Sequence, residues 1–203
     1  MDQNGFKQLK YTKLFVLSSM LFQSDPHARA RRIFNTIAPV YNRLDDYVKR
    51  RFGDAMRCVA DKVPIVGRSV LDIGTGTGAW ASLFRAQGAS HVHGVDFAER
   101  MVRVARKKYH PDIAFSLGDA RDLRGFDDKA FDIVTASFVL HGMKQPSRHA
   151  ILAEMKRISS KYVIIHDYHG PTPLVPRLLE YLERSDYQYF KIHFMDELQD
   201  QFT

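Results

Sequence analysis

At 203 residues, with 45% apolar side chains and one cysteine, Cys58, the chain has the size and composition of a single globular domain, and an internal disulfide or a cysteine-based zinc site is excluded. No apolar run reaches the ~18 residues that a membrane-spanning helix requires, and the lone cysteine favours a reducing, cytoplasmic setting. The net charge of +7 is concentrated in residues 1–57, which carry 11 Lys/Arg against 5 Asp/Glu, so the N-terminal quarter is the part suited to an anionic lipid surface, nucleic acid or an acidic partner.

In chain order, residues 1–25 read as an N-terminal extension. Lys7, Lys10 and Lys13 precede the apolar run Leu14–Phe22, as in a secretion signal, but the run is short and no good small-x-small cleavage site follows. Ser24-Asp25-Pro26 reads as a helix cap with proline just inside, opening a domain over 26–203. Within it, 26–66 are N-terminal helices and 67–203 an α/β core. Helices are expected over 26–38 and 42–62, interrupted at Pro39. Strands are expected at 69–73, 91–95, 113–117, 132–137 and 161–166, and helices at 79–87, 98–108, 120–124, 146–158, 173–185 and 195–201. Strands alternating with helices imply right-handed crossovers and a doubly wound, mostly parallel α/β sheet. Only about five strands are counted before the chain stops, so either a partner covers the last edge, as in a homodimer through it, or the edge is exposed, or the chain is cut short.

The most informative stretch is Val70–Gly78, V-L-D-I-G-T-G-T-G. A buried strand runs into a glycine turn and a helix start, which lets a ligand rest on bare backbone at a helix N-terminus. Asp72 places a carboxylate at the strand's carboxyl end, repelling a pyrophosphate and holding a cation. Asp96 follows about 20 residues later, where an acid accepts hydrogen bonds from a ribose diol. After the third strand, Asp119 suits an exocyclic amine and the Ala120 amide a ring nitrogen, with Phe97 and Met101 as apolar faces for the ring. Each acid alone also suits a helix cap. The spacing Gly74-x-Gly76-x-x-Ala79 also fits a nicotinamide-dinucleotide site, but three acids on three successive strand ends do not suit two phosphates.

From Ser69 to His169 the chain resembles the class I S-adenosylmethionine-dependent methyltransferases, through V-L-D-I-G-T-G-T-G, G-V-D-F-A-E-R-M, G-D-A-R-D-L and F-D-I-V-T-A-S-F-V-L-H. The resemblance implies a Rossmann-like methyltransferase fold and S-adenosyl-L-methionine as cofactor. Asp72 with Gly74, Thr75, Gly76 and Gly78 would wrap its methionine part, Asp96 its ribose and Asp119 its adenine. Upstream, Phe34-Asn-Thr-Ile-Ala-Pro-Val-Tyr41-Asn42 resembles the ubiquinone/menaquinone biosynthesis methyltransferases, whose tyrosine lies over the cofactor pocket, a role Tyr41 would inherit. Asn42 replaces that group's usual acid, and Leu140-His141-Gly142-Met143 replaces its asparagine-containing motif. The group's two C-terminal antiparallel strands are missing from the pattern.

Methyl transfer from a sulfonium is an in-line displacement, so a base is needed only where the nucleophile must lose a proton. The candidates are His141, His166, Asp167 and Tyr168, with His169 beside them; Ser137 would line the pocket. No metal site is expected. Arg103, Arg106, Lys107 and Lys108 read as a solvated helix face. The expected acceptor is small or lipid-like, of the quinone type, reached by peripheral association with an anionic membrane; nucleic acid is not expected. The alternatives are an RNA or protein methyltransferase and a non-catalytic cofactor-binding protein.

Overall fold

The computed structural model describes residues 26–168 and 187–202. One long helix, α1 (Pro26–Lys62), precedes β1 (Ser69–Ile73), α2 (Ala79–Ala86), β2 (His91–Asp96), α3 (Glu99–Tyr109), β3 (Ala114–Leu117) and β4 (Phe131–Ser137). A 3-10 turn (Leu140–Gly142), α4 (Gln145–Ile158), β5 (Ser159–His166) and α5 (Tyr187–Phe202) follow. The strands form one all-parallel sheet in the order β3-β2-β1-β4-β5. Chain direction through the sheet reverses between β1 and β4, where Asp72 stands beside Thr135. The carboxyl ends of these two strands therefore border the crevice in which such sheets bind ligands.

Side-chain alternation along β1 explains its continuous apolar run. Val70 joins a core with Trp80 and Phe84 of α2 and Met56 of α1, while Leu71 and Ile73 join one with Leu152 and Met155 of α4 and Phe190 of α5. Helices cover both faces, so neither set can be polar.

Three expectations are corrected. Pro39 does not divide α1, which runs unbroken through it. Proline removes one helical hydrogen bond, at a cost of about 3 kcal/mol. Packing on either side of it outweighs that cost: Phe34, Ile37 and Ala38 pack on Phe97, Ala98 and Met101, and Asp45 is buried one and a half turns later, while Pro39 itself faces solvent. Residues 120–124 are a turn, not a helix, with an isolated bridge between Asp119 and Asp122. Asp119 binds the backbone N–H and guanidinium of Arg121, and Asp122 the guanidinium of Arg124, so local side-chain bonds displace the helical ladder. The helix expected at 195–201 begins eight residues earlier, because Tyr187, Phe190 and Phe194 pack on the domain. The expected helix at 173–185 and the extension 1–25 lie outside the described residues.

Among the described residues no antiparallel strand adjoins β5. Instead α5 is fastened to α4 by a buried pair in which Arg148 Nε and Nη2 donate to Glu197 Oε2 and Oε1 at 2.8 and 2.7 Å. At the other margin, Arg106 Nε and Nη2 both donate to the Phe115 carbonyl oxygen of β3, at 3.0 and 2.7 Å. Of the basic residues on α3, Arg106 and Lys108 thus make specific contacts (Lys108 with Asp45), whereas Arg103 and Lys107 face solvent as expected.

Candidate cofactor and acceptor site

The glycine loop hangs from β2. The Gly74 and Thr75 amides donate to the Val95 carbonyl at 2.8 and 3.0 Å, and the Gly76 amide donates to Asp96 Oδ2 at 2.8 Å. Gly74 and Gly76 have φ of 68° and 55°, conformations that side chains other than glycine rarely adopt. A Cβ on Gly74 would lie 2.4 Å from Val139, whereas one on Gly76 would meet nothing within 4 Å, so the loop is open at its crest. Those two features make a cradle that a ligand can approach along the backbone.

Asp72 sits buried at the foot of this loop. Its Oδ2 accepts from the Thr75 hydroxyl at 2.7 Å, and its Oδ1 is buried with no partner at hydrogen-bonding distance. Burial pushes the carboxyl up to about 7; the Thr75 bond and the Ala81 amide oppose the rise, and the neighbouring Asp96 adds to it. A buried acid with an unmatched oxygen suits a cationic ligand, which would favour the ionised form. Asp96 is likewise buried and pushed up to about 6 by desolvation, against hydrogen bonds from the amides of Ala98, Gly76 and Phe97. It both caps α3 through Ala98 and ties down the loop through Gly76, and the carboxylate keeps acceptor capacity for a diol. These residues fit the methionine and ribose parts of S-adenosylmethionine.

At the carboxyl end of β3, Asp119 is already engaged by side chains. Asp119 is gripped by Arg121, with Nη2 at 2.6 Å and Nε at 3.0 Å, and His27 of α1 stands 3.4 Å away. The Arg121 hydrogen bond is the main reason its carboxyl lies below the usual range. Ala120 follows in the turn. Met101 is fully buried, and the Phe97 ring lies 4.9 Å from His27 and 5.9 Å from Phe34, so α1 packs over the apolar faces assigned to the ring. Tyr41 is 38% exposed, one turn before Asp45 on the same side of α1.

Beyond β4 and β5 the candidate base residues separate into two groups. His166 shares a hydrogen bond with the Ser137 hydroxyl at 3.0 Å and packs on Trp80, Phe52 and Phe138, with ring centroids 4.9, 5.3 and 4.7 Å away. Burial lowers its pKa, holding it neutral. His141, Asp167 and Tyr168 form the other group. His141 Nδ1 and Asp167 Oδ1 are 2.6 Å apart, and Asp167 Oδ2 accepts from the amides of Leu140 and His141 at 3.0 and 3.2 Å. The Tyr168 amide donates to Asp167 Oδ1 at 2.8 Å. With the Nδ1 proton given to Asp167, Nε2 carries the basic lone pair. Tyr168, Tyr187 and Phe138 rings stand 4.8, 6.1 and 6.2 Å from the imidazole. Among the described residues no cluster of His, Cys, Asp and Glu could hold a metal ion.

Sequence reading missed Phe138 and Asp45. Phe138 has φ of 55°, a strained conformation for an aromatic residue, of the kind that collects at functional sites, and nothing in its sequence context signals it. Asp45 reaches the glycine loop from α1; its only hint is a position one turn after Tyr41.

Residues 70–161 match a family model described as a methyltransferase domain. The demethylmenaquinone methyltransferase of Renibacterium salmoninarum is 34% identical over 162 residues, covering 75% of this chain and 65% of that protein. That of Clavibacter sepedonicus is 32% identical over 152 residues, covering 71% and 60%. The chain therefore spans about three fifths of the length of these relatives. A Methanococcus maripaludis protein described as an S-adenosyl-L-methionine-dependent methyltransferase superposes with a TM-score of 0.63 at 15% identity over 82% of each chain, a likeness of fold. A chain of the complex between the Haloferax volcanii Trm112 methyltransferase activator and a methyltransferase superposes with a TM-score of 0.54 at 28% identity, over 68% of this chain and 61% of that one. Residues 70–161 thus carry a methyltransferase domain, and the chain is similar in sequence to demethylmenaquinone methyltransferases and in fold to an S-adenosyl-L-methionine-dependent methyltransferase.

Proposed function

We propose that this protein transfers a methyl group from S-adenosylmethionine to a small or lipid-like acceptor of the quinone type, with His141 as the base. The observation that carries the cofactor half is the unpartnered, buried Asp72 oxygen at the foot of an open glycine loop. The acceptor half is supported by the His141–Asp167 pair among aromatic rings and by likeness to demethylmenaquinone methyltransferases.

S-adenosylmethionine supplies a sulfonium-activated methyl group. Asp72 offers negative charge to a cationic ligand, the Gly74–Gly78 backbone lets it approach closely, and Asp96 accepts from a diol. His141 Nε2 accepts the proton that an aromatic hydroxyl or carbon acid gives up as its new bond to carbon forms. Asp167 holds the ring and balances the imidazolium charge. Phe138, Tyr168 and Tyr187 supply an apolar, ring-shaped surrounding that excludes water from the transfer. Asp119 reaches adenine only by sharing its carboxylate with Arg121.

The test is calorimetric titration with S-adenosylhomocysteine, followed by incubation with methyl-labelled cofactor and three acceptors: a demethylated naphthoquinol, a catechol and a bulk RNA. Saturable binding and label in the quinol are expected. A folded sample that does not bind, or label found in RNA alone, overturns the reading.

A further inference from the structure

Asp45 is the only buried acid of α1; Asp46, Asp54 and Asp61 all face solvent. A carboxylate 1% exposed loses its hydration, and a simple surface staple between helices would avoid that loss. Asp45 instead gathers donors from three elements. Oδ2 accepts from the Tyr109 hydroxyl at 2.8 Å and from Lys108 Nζ, both on α3, and lies 3.3 Å from Lys49 Nζ on its own helix. Oδ1 lies 3.4 Å from the Thr77 hydroxyl in the glycine loop, a long contact. Tyr109 completes the link from beneath. Its ring underlies the loop so closely that a Cβ on Gly78 would fall 3.0 Å from its Cδ2. Burial alone would raise the Asp45 carboxyl, but hydrogen bonds from Lys108 and Tyr109 and the charges of Lys49 and Lys108 outweigh it and hold the group below the usual range. Burial and Asp45 together push the Tyr109 phenol up to about 12, so it remains a donor.

We propose that Asp45 is a positioning residue for the cofactor: through Tyr109 below and Thr77 above, it fixes the Thr75–Gly78 turn, and so makes α1 a working part of the binding site. The inference rests on the reading of that turn as the cofactor cradle. It extends to a residue 27 positions before Asp72, on an element outside the sheet.

The test uses the full chain and four proteins: wild type, Asp45→Ala, Tyr109→Phe and the double variant. Affinity for S-adenosylhomocysteine is measured by calorimetry, and KM for the methyl donor separately from kcat. Asp45→Ala is expected to weaken binding about tenfold or more and to raise KM with little change in kcat. Tyr109→Phe should weaken binding less, and the double variant should fall well short of the sum of the two single effects, because the hydroxyl donates to that carboxylate. Hydrogen exchange at the Thr75–Gly78 amides should quicken in both Asp45→Ala and the double variant. A folded Asp45→Ala protein that melts lower yet binds as wild type reduces the residue to a helix staple and overturns the proposal. So do fully additive effects. If wild type itself does not bind, the cofactor reading falls instead, and the exchange comparison still decides whether Asp45 orders the turn. Should Asp45→Ala fail to fold, Asp45→Asn, which keeps an acceptor and drops the charge, is read in the same way.

Discussion

Asp72 and Asp96 keep their protons to an unusually high pH. Folded, they titrate near 7 and near 6, because burial raises both; unfolded, they would release protons near 3.8. Between those limits the folded state binds more protons, so what these groups contribute to stability is complete below about pH 4 and is lost as pH rises through 6 to 7. Asp72→Asn removes the ionisation yet keeps an acceptor for Thr75. The unliganded variant should be more stable than wild type at pH 8, on the order of 1–4 kcal/mol, with the advantage shrinking towards pH 5. Denaturant unfolding at the two pH values measures this. The same change should weaken S-adenosylmethionine binding roughly 10- to 100-fold, since the cation loses its counter-charge. His141→Ala and Asp167→Asn should behave in the opposite sense: methyl transfer slows about 10²- to 10⁴-fold while S-adenosylhomocysteine affinity is unchanged. Loss of affinity in either would move the pair from the chemistry to the cofactor.

At the scale of elements, Pro39 and the Arg148–Glu197 pair set the two outer helices. Restoring the missing amide with Pro39→Ala should raise unfolding free energy by about 1–3 kcal/mol, read from denaturant midpoints. Glu197→Ala would take from the buried Arg148 guanidinium the carboxylate to which it donates twice, costing about 3–5 kcal/mol, and should speed hydrogen exchange in α5 ahead of the sheet. The strands were legible within two residues because both sheet faces are buried and the apolar runs are bounded by glycine, aspartate and proline. The glycine loop and Asp96 were legible because their backbone demands are written in residue type. The unbroken α1 was not legible, because local sequence records the cost of Pro39 and only tertiary packing repays it. Nor was the division between His166, held in the Trp80 cluster, and His141, paired with Asp167; that His166 and Asp167 are neighbours in the chain does not say which of them meets His141. Asp119 looked like an open acceptor because Arg121, two residues on, gives no sign of folding back.

Across the described residues, the candidate binding groups gather at the carboxyl rim of the sheet while positive charge collects on α1, with nine Lys/Arg against four Asp/Glu. No helix among the described residues is long and apolar enough to cross a membrane. If the charge of α1 meets a lipid surface, co-sedimentation with phosphatidylserine vesicles should exceed that with neutral ones and disappear at ~0.5 M salt, where screening is within a few ångströms. Vesicle binding indifferent to salt would assign the attachment to apolar contacts.

The guanidinium of Arg106 gives the sheet a direction of growth. By clasping the Phe115 carbonyl it stoppers the β3 margin, and an incoming strand would have to evict a charged fork before its first rung could form. The β5 margin has no such stopper among the described residues. A strand donated by a sister molecule, in an ordered pair or a fibril seed, would therefore meet that obstacle at the β3 margin.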